Sequence, residues 1–186
     1  MAFEETGFPG LLVYRPAIFE DKRGYFFESY NQKTFSTGGI EIQFIQDNQA
    51  SSSFGVIRGL HYQKEPFAQT KLIRVLSGKI IDVAVDIRKN SPTYGKAFCI
   101  ELSAENKKQL LIPKGFAHGY SVVSETAEVF YKCDAFYNKE SEGGIAWNDP
   151  ALDIDWKVPG SNAVISEKDS IYPPLSGSDH NFVFNS

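Results

Sequence analysis

Two neighbouring stretches carry side chains that can move a proton and hold a negative charge. They are Arg58-Gly59-Leu60-His61-Tyr62-Gln63 and, shortly after, Gln69-Thr70-Lys71-Leu72. Imidazole is the side chain whose ordinary pKa lies nearest neutrality, so a positioned His61 can take or give a proton at cellular pH. Arg58 and Lys71 lie on strand-like segments and would be costly to bury unpaired, which implies an anionic partner. An isolated histidine is more readily a hydrogen-bonded core residue, but flanking cations favour chemistry. With the Tyr131 phenol, the set suits proton abstraction beside a carbonyl. The carbonyl becomes an enolate, and Lys71 is the fixed donor to its oxygen. Arg58, Arg23 and Lys168 would then hold an anionic handle such as a diphosphate.

The alternative chemistry is a metal centre. The stretch Pro113-x-Gly115-x-x-His118 resembles the second half of the metal-binding pattern of cupin barrels. The first half of that pattern needs two histidines one residue apart with a glutamate soon after. Here the matching stretch is His61-Tyr62-Gln63, a single histidine. The chain has three histidines, and His180 lies in the tail. Zinc and iron usually take three or four protein ligands, so the expectation is a barrel with neither metal nor other cofactor.

These groups must be placed by short strands. Phenylalanine and tyrosine are abundant, helical periodicity is scarce, and glycine and proline recur, which argues mostly β structure. Residues 11–19 suit an opening strand broken by Pro16, and Glu20-Asp21-Lys22-Arg23-Gly24 a charged turn. Residues 25–30 read as a strand with Phe26, Glu28 and Tyr30 on one face. Residues 31–37 read as a short helix capped by Asn31 and ended by Gly38-Gly39. Residues 42–50 read as a strand whose Gln46, Asp47, Asn48 and Gln49 could read the edge of a ligand ring, followed by a loop over 51–55. The clearest period-two signal sets Ile81, Val83, Val85 and Ile87 against Asp82, Ala84 and Asp86, so Asp82 is expected opposite the valines. A strand over 128–137 puts Phe130, Lys132 and Asp134 on one face and Tyr131, Cys133 and Ala135 on the other. Short strands joined by turns indicate a barrel or two-sheet sandwich, a jelly roll above all. Beyond Ser141 the pattern becomes irregular, as expected of a covering segment over residues 141–175. The polar tail, 176–186, is expected to be loosely ordered.

The 186 residues suit one compact domain. A formal net charge of −4 speaks against a general nucleic-acid binder. Cys99 and Cys133 each sit among apolar residues and read as buried free thiols. No long apolar run or signal-type N-terminus is seen, so a cytoplasmic location and no membrane partner are expected.

Blocks in one order add to this reading. They are Asp21-Lys22-Arg23-Gly24-Tyr25-Phe26, Gln46-Asp47-Asn48, the Arg58 stretch and Asp82-Val83-Ala84-Val85-Asp86-Ile87-Arg88. The stretch from Pro113 to Tyr120 follows, then Glu140-Ser141-Glu142, Trp147-Asn148-Asp149-Pro150 and Ser166-Glu167-Lys168-Asp169. With them the chain closely resembles the dTDP-4-dehydrorhamnose 3,5-epimerase family, over about residues 10–169. The resemblance implies a cupin-like jelly roll and a metal-free homodimer that inverts C3 and C5 of a dTDP-4-keto-6-deoxyhexose. It implies His61 as base with Asp169 as its orienting carboxylate, and Asp82 is the second candidate for that contact. Lys71 would stabilise the enolate and Tyr131 would return the proton. Arg23, Phe26, Glu28, Gln46, Asp47, Asn48, Arg58, His118, Tyr137, Glu142 and Lys168 would contact nucleotide or sugar. It also implies strand exchange, so that Arg23, Phe26 and Glu28 serve the partner's site. Glu65, Thr70 and Ser170-Ile171-Tyr172-Pro173 depart from the common form, and relatives exist that invert one centre or move the ketone. A non-catalytic sugar-nucleotide binding module is the rival outside enzymes.

Overall fold

The computed structural model describes residues 2–185. In chain order the strands are β1 (Ala2–Glu5), β2 (Leu12–Arg15), β3 (Phe19–Asp21), β4 (Gly24–Phe26), β5 (Gln46–Ser53), β6 (Ile57–Gln63) and β7 (Lys71–Ser77). They continue with β8 (Lys79–Asp86), β9 (Ala97–Ser103), β10 (Gln109–Ile112), β11 (Phe116–Val122), β12 (Thr126–Cys133) and β13 (Glu142–Gly144). Two short helices, α1 (Gln32–Thr37) and α2 (Glu167–Ser170), flank them. One antiparallel sheet has the order β1-β2-β10-β7-β12-β5 and a second the order β13-β6-β11-β8-β9, while β3 and β4 pair only with each other. The result is the cupin-like jelly roll that strand spacing and the resemblance predict.

Alternation sends one face of each sheet to a shared interior. Ile73 and Val75 of β7 meet Ile80 and Ala84 of β8, Tyr120 and Val122 of β11, and Val129 of β12. The outer faces are covered as well. Val83, Val85 and Ile87 pack under Ile145, Leu152 and Trp156 of the irregular segment after β13. Tyr14, Leu72 and Leu111 pack under Phe35 of α1. This double covering explains why β8 is buried almost throughout although its sequence alternates. Asp82 faces the interior and the valines face the covering segment, as the alternation predicts.

The structure also corrects several expectations. The strand over 25–30 ends at Phe26, so Phe26, Glu28 and Tyr30 share no strand face. Glu28 instead accepts a hydrogen bond from Asn31 Nδ2 at 3.1 Å, and Tyr30 packs its ring on Phe35 and Phe44. The expected cap is present: Asn31 Oδ1 accepts from the N–H groups of Lys33 and Thr34. β5 begins at Gln46 and continues through Ser53, because its ladder with β12 runs from Cys133↔Gln46 to Thr126↔Ser53. Pairing there overrides the turn-like Ser51-Ser52-Ser53. Cys133 is buried, but Cys99 is exposed on the edge strand β9.

The tail is docked rather than loose. Phe182 is 5% exposed and joins the cluster under the covering segment. Arg88 stands between the rings of Phe116 and Phe184, with its guanidinium carbon 4.5 and 4.9 Å from their centroids. Val183 forms a β-bridge with Lys89, and the Tyr62 hydroxyl donates to the carbonyl of Asp179 at 2.8 Å. Two aromatic side chains supply what the polar composition hides.

Candidate active site

The site opens from a bulge in β6. Opposite β11, His61 pairs with His118 and Arg58 with Tyr120, so Gly59 and Leu60 on β6 together face Gly119 alone on its partner. Residues three apart on a regular strand point to opposite faces, and the extra residue puts Arg58 and His61 on the same one. Gly59 makes this possible. Its φ is +135°, and a Cβ there would lie 2.5 Å from the Gly119 Cα. Arg58 is steadied by a hydrogen bond from its Nε to Ser52 Oγ at 3.1 Å.

A cavity of about 480 Å³ lies at this bulge, lined among others by Arg58, His61, Lys71, His118, Tyr120, Tyr131, Lys168 and Asp169. That volume suits a small ligand. A side lobe of about 180 Å³ shares His61, Lys71 and Tyr131 and adds Gln46, Asn48, Gln63, Gln69, Tyr137 and Glu142. His61 and Lys71 lie on consecutive strands, as expected, but in opposite sheets, so they reach the cavity from two walls.

Asp169 settles which carboxylate faces His61. Its Oδ1 is 2.7 Å from His61 Nε2, and its Oδ2 accepts from the Gly59 N–H at 3.2 Å. Burial alone would raise this carboxyl, yet the hydrogen bonds from His61 and Gly59 hold it below the usual carboxylate range. An ionised Asp169 makes Nε2 the protonated nitrogen and leaves the Nδ1 lone pair open to accept a proton. α2 delivers the carboxylate: Ser166 caps the helix, its Oγ accepting from the Asp169 N–H at 3.1 Å.

Asp82 belongs to the other imidazole. Its Oδ1 is 2.8 Å from His118 Nε2, and both residues are buried. Burial pushes His118 below its ordinary value despite Asp82, and the nearby Lys71 ammonium adds to the effect, so His118 is neutral at neutral pH. Both imidazoles thus have one nitrogen committed to a carboxylate. Among the described residues no group of three or more His, Cys, Asp or Glu is arranged to hold a metal ion.

Lys71 and Tyr131 stand on neighbouring strands of the other wall, where β7 and β12 pair Ile73 with Tyr131 and Lys71 with Cys133. Desolvation lowers the Lys71 pKa from 10.5, and the surrounding negative groups, Asp82 and Glu142 among them, offset it only in part. Such an ammonium has much to gain when a negative oxygen forms beside it. Burial pushes the Tyr131 phenol up to about 12, so it is fully protonated at neutral pH.

The structure divides the other expected contacts. Gln46 and Asn48 line the side lobe. Asp47, between them, points to the outer face of β5 and pairs with Lys132 at 2.9 Å, so the alternation of one strand removes it from the cavity. Glu142 bridges Lys168 and Tyr137: Lys168 donates to one carboxylate oxygen and the Tyr137 hydroxyl to the other, the latter at 3.0 Å. Arg23 and Phe26 lie on the exposed β3–β4 hairpin, and neither they nor Glu28 lines the cavity. Arg23 is held by Asp21 on the same turn.

Sequence reasoning missed Tyr120, Gln63 and Gln69. Tyr120 lies two residues beyond His118 on β11 and lines the same cavity, so strand alternation could have found it. Gln63 and Gln69 carry no such signal. Their amides donate to the carbonyls of Phe67 and Phe136, and of Ala135, tying the turn before Lys71 to the end of β12.

Comparison with known proteins gives one consistent outcome. The family model described as dTDP-4-dehydrorhamnose 3,5-epimerase matches residues 5–177. The dTDP-4-dehydrorhamnose 3,5-epimerase of Shigella flexneri is 52% identical over 166 residues, 89% of this chain and 91% of that one. The crystal structure of dTDP-4-dehydrorhamnose 3,5-epimerase from Elizabethkingia anophelis is 51% identical, with a TM-score of 0.90 over 95% of this chain and 97% of that one. A dTDP-6-deoxy-D-glucose-3,5-epimerase from Legionella pneumophila, solved in complex with dTDP-4-keto-L-rhamnose, is 44% identical. Its TM-score is 0.91, over 96% of this chain and 94% of that one.

Proposed function

Since the chain belongs to the dTDP-4-dehydrorhamnose 3,5-epimerase family, we propose that its cavity inverts C3 and C5 of dTDP-4-keto-6-deoxyglucose to give dTDP-4-keto-L-rhamnose. The observation that carries this reading is the His61–Asp169 pair at 2.7 Å in a cavity shared with Lys71 and Tyr131. His61 Nδ1 removes the proton at a carbon next to the C4 ketone, with Asp169 steadying the imidazolium that forms. The electron pair moves to the ketone oxygen, where Lys71 supplies a charged donor. Tyr131 gives its proton to the opposite face of the carbon, inverting it. The imidazolium then loses its proton and the phenolate regains one by exchange with water, which resets the site for the second carbon. Both carbons are acidified by the same carbonyl, so one set of groups serves both.

Arg58 and Lys168 supply positive charge for the diphosphate, and Gln46, Asn48, Tyr137 and Glu142 line the lobe that receives the nucleoside. On this reading His118 orders the cavity wall beside Lys71 rather than acting as a base. No metal is needed, because each proton-handling role is filled by a side chain. The reading includes a homodimer with exchanged strands. Among the described residues the β3–β4 hairpin pairs with no other strand, and Phe19, Tyr25 and Phe26 are 64%, 59% and 67% exposed on it. Such a hairpin fits a second copy's site, to which it would bring Arg23, Phe26 and neighbouring Glu28. We place the enzyme in the cytoplasm, where its two unpaired thiols suit a reducing compartment.

Incubation with dTDP-4-keto-6-deoxyglucose in deuterated water, followed by NMR, tests the reaction. Deuterium at both C3 and C5 with inverted configuration is expected. Deuterium at C5 alone after prolonged incubation would show a single-centre epimerase, and a displaced ketone would show an isomerase. Dialysis against a strong chelator should leave the rate unchanged; recovery that requires one divalent ion would refute the metal-free mechanism.

A further inference from the structure

Among the described residues, His61 is fixed by hydrogen bonding through one ring nitrogen. The Asp169 contact holds Nε2, but a ring tethered at one point can still tilt about that contact, and tilting moves the Nδ1 lone pair out of line with a substrate carbon. Something must bear on the ring itself.

The strand beside His61 cannot do so. β13 pairs with β6 at Gly144↔His61, and Gly144 has no side chain to serve as the cross-strand neighbour. The ring of Tyr172 occupies that place. A Cβ built on Gly144 would fall 2.4 to 2.5 Å from three carbons of the Tyr172 ring, so the ring lies directly over this glycine. There it meets His61 edge to face, with centroids 5.8 Å apart and planes at 68°. An aromatic ring from elsewhere covering a glycine on an edge strand restores the missing pair interaction. Here the pair partner is the base.

Tyr172 is itself held on both sides. It follows Asp169 by three residues, just past the end of α2. The next residue, Pro173, accepts the Ala146 N–H at 2.8 Å, and the Leu175 N–H donates to Asp149 Oδ2 at 2.7 Å. Its hydroxyl lies against Lys168, whose ammonium also pairs with Glu142 of β13. One segment therefore presents the carboxylate to Nε2 and the aromatic ring to the imidazole.

We propose that Tyr172 is a positioning residue for the His61 base: its ring, packed against the imidazole, fixes the tilt from which the base acts. The proposal rests on the reading of His61 as the base. Tyr172 does not line the cavity or its side lobe.

The test compares Tyr172→Ala and Tyr172→Phe by steady-state kinetics and by imidazole NMR. A small displacement of a reacting group can cost up to about 10²-fold in rate, so Tyr172→Ala should lower kcat by roughly 10- to 100-fold. KM should change little. Tyr172→Phe keeps the ring and should retain kcat. Because the chain has three histidines, ¹⁵N-edited spectra can be assigned with His61→Asn. In Tyr172→Ala the His61 signals should shift toward a mixture of tautomers, while those of His118 stay in place. Unchanged kcat in Tyr172→Ala overturns the proposal. So does an equal loss in Tyr172→Phe, which would place the effect in the hydroxyl, or a lowered Tm with unmoved His61 signals. The NMR arm does not depend on turnover. Absence of deuterium exchange by the wild-type enzyme would therefore refute the epimerase reading, while the His61 signals would still decide the role of Tyr172.

Discussion

Inversion at a carbon needs two groups, one to remove a proton from one face and another to return one to the other face. A single base that gives back its own proton produces exchange without inversion. His61 and Tyr131 face the same cavity from opposite sheets, which is the placement such a division requires. Tyr131→Phe removes one hydroxyl and keeps the ring. Deuterium should still wash into the substrate, because His61 and Lys71 remain. Inversion should fall by roughly 10²- to 10⁴-fold, the usual worth of a positioned acid. His61→Asn should stop exchange and inversion together. Wild-type inversion by Tyr131→Phe would remove Tyr131 from the mechanism and direct attention to Tyr137. Lys71 gives a second test, through pH. On the proposed mechanism its cation is the active form, and burial lowers its pKa from 10.5, so the charge is lost at a lower pH than for an exposed lysine. The kcat profile should therefore fall on an alkaline limb below 10.5. Tyr131, pushed up to about 12, cannot be the group titrating there. Arginine keeps its charge across this range, so Lys71→Arg should remove the limb even if its maximal rate is lower. Lys71→Met replaces a poorly solvated charge by an apolar chain of similar length. It should raise Tm while lowering kcat by roughly 10²- to 10³-fold; a lowered Tm would contradict the account of Lys71 as a strained cation.

At the level of the element, the active site depends on an irregularity in one strand. β6 would place Arg58 and His61 on opposite faces if it were regular, and its bulge at Gly59 places them together. Gly59→Ala would bring a methyl group 2.5 Å from the Gly119 Cα and 2.9 Å from the His118 carbonyl oxygen, both backbone atoms that cannot swing aside. It should destabilise the protein by about 2 kcal/mol or more, read from denaturant unfolding. The fraction that folds should bind substrate weakly, because relief of the clash separates β6 from β11 and misplaces Arg58. Near-wild-type stability and activity in Gly59→Ala would show that the bulge tolerates an ordinary residue. The same logic gives the irregular segment after β13 its role. It covers the outer face of β8 and β6 with Trp156, Leu152 and Ile145, and so frees the inner face for polar groups.

The whole molecule has a formal charge of −4 yet is read as binding a diphosphate. The two are compatible because Arg58, Lys71 and Lys168 converge on one cavity. Arg23 is the exception. It sits on the β3–β4 hairpin, and its side chain is 83% exposed. If the hairpin serves a second copy, each site combines His61 of one subunit with Arg23 of the other. Mixing inactive His61→Asn and Arg23→Ala subunits then assembles one intact site in each mixed dimer. Random exchange of equal amounts should restore about a quarter of the wild-type sites. No recovery, with exchange verified by native mass spectrometry, would show that each subunit completes its own site.

Much of this was legible in the chain itself. The alternation of residues 81–87 and the Asn31 cap depend on local spacing and backbone preference, and the structure follows them. The kinds of chemistry were also legible, since they depend on residue type: one imidazole, one lysine and one phenol on strands. Which groups meet was decided by tertiary structure. For His61 the resemblance implies Asp169 as partner, with Asp82 as the second candidate, and local spacing does not choose between them. The choice falls to Asp169, 108 residues away, because α2 folds back onto β6, while Asp82, which pairs with Tyr120 in the register of β8 against β11, reaches His118 diagonally on the same face. Asp47 lies in a polar run that reads as a ligand surface, yet the pairing of β5 with β12 turns it outward to Lys132. The tail reads as loose by composition and is held by Phe182 and Phe184, whose partners lie far away in the chain. Local preference is a property of neighbours in sequence. Strand register, a one-residue bulge and the docking of distant segments are set by what each surface finds to pack against, and they decide which residues make the site.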